Sequence, residues 1–107
     1  MKLASEEDIQ DFADDVRDVL GDKVEEIILY GSYARDDYTP GSDIDVVILV
    51  NEEQREDEEK VFDIVERYMA ERDLMFSPRI YEENEFRSKE ERGYSFHTNV
   101  TSEGITL

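Results

Sequence analysis

The sequence of residues 27–50 is IILYGSYARDDYTPGSDIDVVILV. Two apolar runs, Ile27–Tyr30 and Val46–Val50, flank a polar loop that is rich in turn-forming residues. Both runs are short, contain β-branched residues and are bounded by turn residues, a pattern typical of buried strands. We therefore predict two strands, the first from about Val24 to Tyr30 and the second ending near Val50. The loop that joins them has Gly31-Ser32 at one end and two aspartates at the other. Because the loop is short, we expect the two strands to pair in antiparallel fashion.

The two aspartates, Asp43 and Asp45, are placed to bind a cation. Side chains two positions apart on a strand point to the same face, so the carboxylates project together while Ile44 faces the opposite side. Neighbouring carboxylates repel each other unless a cation neutralises them. Mg²⁺ prefers oxygen ligands and typically takes one or two protein carboxylates together with phosphate oxygens and water. We therefore predict Asp43 and Asp45 as ligands of Mg²⁺.

The Gly31-Ser32 end of the loop is suited to phosphate. Gly31 permits a tight turn and a close approach of the backbone to a ligand. Ser32 supplies a hydroxyl and, if a short helix begins there, exposed N–H groups that suit a phosphate. A phosphate-binding turn facing a metal-binding carboxylate pair is the equipment for phosphoryl or nucleotidyl transfer. The alternative interpretation is a solvated acidic loop before an ordinary strand.

Charge dominates the composition: Lys and Arg number 12, Asp and Glu number 30, and the formal net charge is −18. Apolar residues make up 38% of the chain and fall in periodic blocks, which indicates a folded protein with an acidic surface. Such a surface repels phosphate backbones, so we expect no direct binding of nucleic acid, and a basic protein partner is the better electrostatic match. The dense carboxylates also resemble those of proteins from salt-loving organisms, so we expect a halophilic archaeal host.

Cysteine is absent from the sequence, which excludes disulfides and thiolate metal sites. The first 20 residues are acidic and amphipathic and lack the basic start and apolar centre of a signal peptide. The longest apolar run, Val46–Val50, is far shorter than a membrane span. We therefore expect a cytoplasmic protein without membrane association. From the chain length we expect a single domain, residues 1–107.

Apolar spacing predicts the remaining elements. A helix is predicted from its cap Ser5 to Leu20, with Gly21 as its stop. Residues 51–60 are predicted as the exposed start of a second helix. The apolar residues predicted to face the core are Ile9, Phe12, Ala13, Val16, Val19 and Leu20 in the first helix and Val61, Phe62, Ile64, Val65, Tyr68 and Met69 in the second.

The C-terminal third of the chain is predicted to add a third strand, residues 74–81. Pro78 within it cannot donate to a ladder, so we place this strand at a sheet edge or at an irregularity. Residues 82–92 are mildly helical, Tyr94, Phe96 and Val100 are expected to pack back on the core, and residues 102–104 are predicted as a turn before a terminal strand, residues 105–107. The order of elements predicts an α/β (α+β) fold, a small mixed β-sheet backed by helices.

The spacing of the motif carries a family resemblance. Gly31-Ser32, residues 33–42 and then Asp43-Ile44-Asp45 resemble the signature of the DNA polymerase beta-like nucleotidyltransferases. The local sequences GSYAR and GSDIDVVI are similar to those of the minimal nucleotidyltransferase (MNT) branch. The resemblance implies the polymerase beta-like core and transfer of a nucleoside monophosphate, usually AMP from ATP, with Mg²⁺ as the metal.

Carried over by position, the resemblance assigns roles to individual residues. Gly31 and Ser32 would hold the triphosphate, and Ser32, Asp43 and Asp45 would be the catalytic residues. Asp43 and Asp45 would bind the Mg²⁺ ions. Arg35 would neutralise phosphate charge as a nucleotide-binding residue, or else form a surface salt bridge with one of the nearby acids.

Many members of the family use a third carboxylate from the third strand. Here that strand carries Ser77, Pro78 and Arg79 at the expected place, and the nearest acids are Glu82 and Glu83. Three alternatives follow. One of these acids, with Glu82 as the candidate, is the third metal ligand and binds from the strand end. Otherwise the third ligand comes from the substrate, or the site is catalytically weak. In a chain so rich in glutamate, the alternative interpretation of Glu82, and the favoured one, is a solvated residue.

A partner protein is also implied by the resemblance. Minimal members are commonly paired with a helical HEPN-domain protein, and in some toxin–antitoxin modules the MNT protein is the antitoxin that adenylylates the HEPN ribonuclease toxin. We therefore predict AMP transfer from ATP to a HEPN toxin. We expect the chain to form a homo-oligomer or a hetero-oligomer. The alternatives are an antitoxin that masks its partner without catalysis, and a small-molecule nucleotidyltransferase whose acceptor site is completed by a homodimer.

The halophile hypothesis predicts a salt-dependent stability. Self-repulsion at a net charge of −18 destabilises the compact state in dilute buffer, whereas molar KCl shortens the Debye length to about 3 Å. We expect the thermal melting temperature to rise between dilute buffer and molar KCl. A melting temperature that stays constant or falls over this range would contradict the hypothesis.

Overall fold

A computed structural model describes residues 3–107; Met1 and Lys2, which the predicted domain includes, lie outside the described residues. The strands are β1 Val24–Tyr30, β2 Ile44–Val50, β3 Phe76–Glu82 and β4 Ile105–Thr106. The helices are α1 Glu6–Leu20, α2 Ser32–Arg35, α3 Arg55–Arg72, α4 Glu83–Glu91 and α5 Ser95–Glu103, and a 3₁₀ turn spans Gly21–Lys23. The four strands form one mixed sheet in the order β3-β2-β1-β4.

Helix α1 is capped as predicted. Ser5 Oγ accepts a hydrogen bond from the Asp8 amide at 3.1 Å, and the Asp8 carboxylate accepts from the Ser5 amide at 3.0 Å, which completes a capping box. The helix ends at Leu20, where Gly21 takes a φ of 68° that favours glycine. The prediction that Val19 faces the core is wrong: it lies at the border of the apolar stripe and is 39% exposed.

The central strand is β2, which pairs antiparallel with β1 and parallel with β3. Its residues Val46–Val50 are fully buried, because helices cover both faces of the sheet. Strand β1 has the predicted bounds, and the predicted antiparallel pairing with β2 is confirmed. Pro78 lies on β3 at an edge of the sheet, as its missing N–H requires.

Helix α3 begins four residues later than predicted. Residues 51–54 precede it, and the Asp57 carboxylate accepts hydrogen bonds from the Gln54 amide at 2.8 Å and from Lys23 Nζ at 3.0 Å. These bonds satisfy a carboxylate that is almost fully buried, and they fix the helix start at Arg55. Phe62, predicted to face the core, is instead 60% exposed.

Helix α5 occupies a segment for which the sequence predicted only core contacts and a turn. Its residues include Ser, Thr, Asn, His and Val, which have low helix propensity, so tertiary packing decides its conformation. Val100 is buried and Phe96 packs against the same cluster, as predicted. Tyr94 is 47% exposed and does not pack on the core, and Ser102 and Glu103 belong to the helix rather than to a turn.

Two hydrophobic clusters lie on opposite faces of the sheet. The larger one joins α1 and α3 to the sheet; Phe12 stacks on Phe76 with ring centroids 4.0 Å apart and meets Tyr68 edge-on at 5.5 Å. The smaller one joins α4 and α5 to the other face through Phe86 and Val100. Among residues 3–107, no helix combines the length and apolarity needed to cross a membrane.

Truncation of Phe12 tests the larger cluster. The side chain is fully buried between Phe76 and Tyr68, so Phe12→Ala should lower the free energy of unfolding by about 3–5 kcal/mol in urea denaturation. Phe62→Ala removes the same atoms from an exposed position and should change it by less than about 0.5 kcal/mol. Equal losses in the two variants would show that Phe62, not only Phe12, is part of the core.

Candidate active site

The register of β1 and β2 brings the two ends of the loop together. Tyr30, the last residue of β1, lies opposite Asp45 of β2 in the antiparallel ladder. Gly31 and Ser32 follow β1 directly, and Asp43 immediately precedes β2. The predicted phosphate-binding turn and the predicted carboxylate pair therefore lie side by side at one end of the sheet.

Gly31 is required by its position. Its φ of 75° favours glycine, and a Cβ built on it would overlap the Asp45 carboxylate oxygen Oδ2. Its carbonyl oxygen accepts hydrogen bonds from the amides of Ala34 and Arg35, both at 3.1 Å, which starts the short helix α2 at Ser32. A short helix therefore begins at Ser32, as the predicted phosphate-binding turn requires.

Asp45 is held in an electrostatically unfavourable place. Burial raises the pKa of its carboxyl above the ordinary value, and the neighbouring Asp43 raises it further, whereas Arg79 and Arg35 act in the opposite direction. Asp43 itself is exposed. A cation bound between these carboxylates would relieve their repulsion.

The donor set of the pair fits Mg²⁺. Within the described part of the chain, no group of three or more His, Cys, Asp and Glu residues is arranged to hold a metal ion. Two carboxylates are nonetheless what Mg²⁺ commonly takes from a protein when phosphate oxygens and water supply its other ligands. Asp43 and Asp45 therefore suit an ion that arrives with a phosphorylated substrate.

Glu82 is not brought to this pair. In the parallel ladder Asp45 lies opposite Ser77, and Glu82 lies opposite Val50 at the far end of β2. Five residues of strand separate the two ends, which is about 16 Å. The prediction of Glu82 as a third metal ligand therefore does not hold, and Glu83, the first residue of α4, is farther along the chain still.

Arg35 forms a surface salt bridge and also lines the cavity, so both interpretations of its role that the sequence left open have a structural basis. Its Nε donates to the Asp37 carboxylate at 3.3 Å, and both side chains are about half exposed, so this surface pair contributes little. Arg35 also lines the cavity beside Asp45 and favours the ionised form of that carboxyl. It is therefore placed to meet a negatively charged ligand.

A cavity of about 450 Å³ opens beside the turn. The end of β1, the loop and the start of β2 line one side of the cavity, and one face of α5 lines the other. The lining residues are Tyr30, Gly31, Ser32, Arg35, Asp45, Phe96, Asn99, Val100 and Glu103. A larger cavity of about 560 Å³ lies between α3 and β3, away from the carboxylate pair.

Sequence reasoning missed the α5 wall, although the spacing of positions 96, 99, 100 and 103 is that of one helix face. Tyr30 ends a run that is typical of a buried strand, but it is only half-buried and lines the cavity. Its ring meets Phe96 edge-on with centroids 5.7 Å apart. Burial, followed by the charge of Asp45, raises the pKa of the Tyr30 phenol above its usual value.

Comparison with known sequences gives consistent matches. The profile of the family described as "Nucleotidyltransferase domain" matches residues 9–99. The chain is 32% identical over 105 residues to "Putative protein adenylyltransferase MJ0604" of Methanocaldococcus jannaschii, covering 98% of this chain and 99% of that protein. It is 43% identical over 74 residues to "Putative protein adenylyltransferase MJ0141" of the same organism, covering 68% of this chain and 75% of that protein.

Two solved structures share the fold. A crystal structure of a toxin-antitoxin with AMP-PNP superposes with a TM-score of 0.61 at 16% identity, covering 91% of this chain and 70% of that chain. A crystal structure of a mutant of the toxin-antitoxin MntA-HpeT gives a TM-score of 0.57 at 19% identity, covering 98% and 72%. These matches confirm the predicted mixed α/β fold.

Removing the Asp45 charge should stabilise the protein at neutral pH. Because the pKa of this carboxyl is raised in the folded state, ionisation penalises folding at pH 7, and the penalty disappears as the pH falls through the folded pKa. Asp45→Asn should therefore raise the free energy of unfolding at pH 7, by no more than about 1 kcal/mol because water screens the pair. The gain should shrink as the pH falls through the raised pKa and vanish below the ordinary carboxyl pKa of 3.8.

Urea denaturation at constant salt measures this difference. Asp18→Asn, on the exposed face of α1, removes one negative charge elsewhere and reports the general relief of self-repulsion. A loss of stability in Asp45→Asn at pH 7, or a gain no larger than that of Asp18→Asn, would contradict the burial argument.

Proposed function

This chain belongs to the nucleotidyltransferase domain family, and from that premise we propose that residues 1–107 act as a single domain that transfers AMP from ATP to a partner protein. One observation carries the proposal: Gly31-Ser32 and the carboxylates Asp43 and Asp45 lie side by side at the adjoining ends of β1 and β2. Two relatives named as protein adenylyltransferases support the choice of acceptor, and one of them matches 98% of this chain.

Each proposed site residue has a defined task. Asp43 and Asp45 would hold Mg²⁺, which when bound withdraws charge from the phosphate oxygens and stabilises the leaving pyrophosphate. The backbone of the Gly31-Ser32 turn and the Ser32 hydroxyl hold the triphosphate. The turn can lie this close to Asp45 because residue 31 has no side chain. Arg35 offsets phosphate charge at the same side of the cavity.

The partner in this proposal is a HEPN-domain toxin, and this chain is its antitoxin in the cytoplasm of a salt-loving host. Support comes from the two structural neighbours, both described as toxin-antitoxin proteins, one of them with AMP-PNP. The net charge of −18 also complements a basic partner.

A second candidate is an antitoxin that masks its partner without catalysis. One observation favours it: the β3 position opposite Asp45 is Ser77, so β3 brings no carboxylate to the pair there. Catalysis and masking differ in whether the partner is covalently changed.

Labelled ATP separates the two candidates. We expect the co-purified partner to gain label from [α-³²P]ATP and not from [γ-³²P]ATP when Mg²⁺ is present, because AMP is transferred and pyrophosphate leaves. Intact mass should rise by one or more AMP units. Asp43→Asn/Asp45→Asn should abolish the transfer while the complex still forms.

The matched control is Asp14→Asn/Asp18→Asn, which removes the same charge from the exposed face of α1 and should retain transfer. An unlabelled partner in a stable complex, together with unchanged neutralisation by Asp43→Asn/Asp45→Asn, would contradict catalysis and favour masking.

Gly31→Ala should impair the site far more than Gly41→Ala. Both glycines have a positive φ, 75° and 93°, so both substitutions strain the backbone by about 1–3 kcal/mol. Only at position 31 does the new Cβ meet the Asp45 carboxylate, since a Cβ at position 41 has nothing within 4 Å. A displacement of Asp45 by about 1 Å should lower the rate of AMP transfer about a hundredfold.

Thermal melting of both variants shows whether their folding is equally affected, and AMP transfer is measured below the lower melting temperature. Equal loss of transfer in Gly31→Ala and Gly41→Ala would show that backbone strain, rather than contact with Asp45, explains the effect.

A further inference from the structure

We propose that the α5 wall of the cavity selects the nucleobase, and that Asn99 is the residue that reads adenine. This inference rests on the proposed function, because it places a nucleotide in the cavity with its phosphates at the Gly31-Ser32 turn.

The charges of the cavity orient the nucleotide. Arg35 and the Ser32 hydroxyl lie at the loop side, where phosphate is favoured, and Glu103 lies on α5. Glu103 repels a triphosphate, whereas at the loop side Arg35 and the metal proposed at Asp43 and Asp45 offset the carboxylate charge. The phosphates therefore lie at the loop side and the nucleoside lies against α5. A cavity of about 450 Å³ has room for both parts.

Helix α5 is rigidly placed for this task. Val100 is buried against the sheet, and a Cβ on Gly104 would overlap the Val100 carbonyl oxygen and Ile28 Cγ2, so the helix end lies directly on β1. Strand β4 then pairs with β1, with Ile105 opposite Leu29. Because recognition elements on rigid helices hold their geometry, α5 can discriminate between bases.

Phe96 supplies a fixed aromatic surface. Its ring meets Tyr30 edge-on at 5.7 Å, and the Arg79 guanidinium lies 5.3 Å from its centroid. Phe96 is half-buried, so part of the side chain is open to the cavity. Aromatic side chains stack on any base, so Phe96 contributes affinity without selecting between bases.

Asn99 contributes the selection. It is exposed and lines the cavity one helical turn beyond Phe96. A carboxamide offers a donor and an acceptor side by side, and the pairing of asparagine with adenine uses both: the amide donates to N7 and the oxygen accepts from the N6 amino group. On the same edge guanine presents two acceptors, N7 and O6, so the carboxamide oxygen has no donor to accept from and this pairing fails.

Binding of AMP-PNP and GMP-PNP in the presence of Mg²⁺ tests the proposal by calorimetry. The wild-type protein should bind AMP-PNP more tightly. Asn99→Arg replaces the donor–acceptor pair with two donors, and a guanidinium pairs with both N7 and O6 of guanine, so the ratio of the two affinities should shift toward GMP-PNP by about tenfold or more. Asn99→Leu, of similar shape, should bring the ratio close to one.

The ratio of affinities is the informative quantity, because a lost fold or an added charge changes the binding of both nucleotides alike. Thr101→Ala, on the opposite face of α5 and exposed, should leave the ratio unchanged.

Several results would overturn the inference. A wild-type protein that binds both nucleotides equally, or a ratio unchanged in Asn99→Arg and Asn99→Leu, overturns it and leaves the proposed function standing. If the affinity ratio is unchanged in the Asn99 variants but AMP transfer to the partner is slower, α5 contacts the acceptor protein instead of the base. Failure of the wild-type protein to bind either nucleotide overturns both, whereas normal selective binding without AMP transfer overturns only the proposed function.

Discussion

The antiparallel pairing of β1 with β2 is the constraint on which the site depends. Its register places Tyr30 opposite Asp45. The Gly31-Ser32 turn, which follows β1, therefore lies beside Asp43 and Asp45 at the start of β2. A slip of one residue would turn Asp45 to the opposite face of the sheet, away from α5 and the cavity. The register is protected because β2 is buried on both faces, so every alternative pairing would move its apolar side chains.

The same arrangement concentrates unfavourable electrostatics at one end of the sheet. Asp45 is partly buried beside Asp43, and the backbone of Gly31 lies so close that no larger residue fits. In the absence of a ligand these features disfavour the folded state, as is common where a site is prepared for a charged substrate. Arg79 and Arg35 moderate the repulsion without removing it.

Local chemistry explains which parts could be predicted from the sequence. The Ser5 cap, the bounds of β1 and the Gly31 turn follow from residues near one another in the chain, and the structure confirms them. The position of Glu82 depends instead on the parallel register of β3 with β2, which no local pattern reveals. Helix α5 was missed for a related reason: weak helix formers fold there because Val100 packs on the sheet.

The central claim is that the Gly31-Ser32 turn and the carboxylates of Asp43 and Asp45 together hold a metal–nucleotide complex. Paramagnetic broadening of backbone amide resonances by Mn²⁺, used in place of Mg²⁺ and recorded with and without AMP-PNP, tests it most directly. The account predicts that AMP-PNP centres the strong broadening on residues 31–32 and 43–45. Broadening that stays dispersed over the acidic surface, or that centres on the Glu82 end of the sheet, would contradict it.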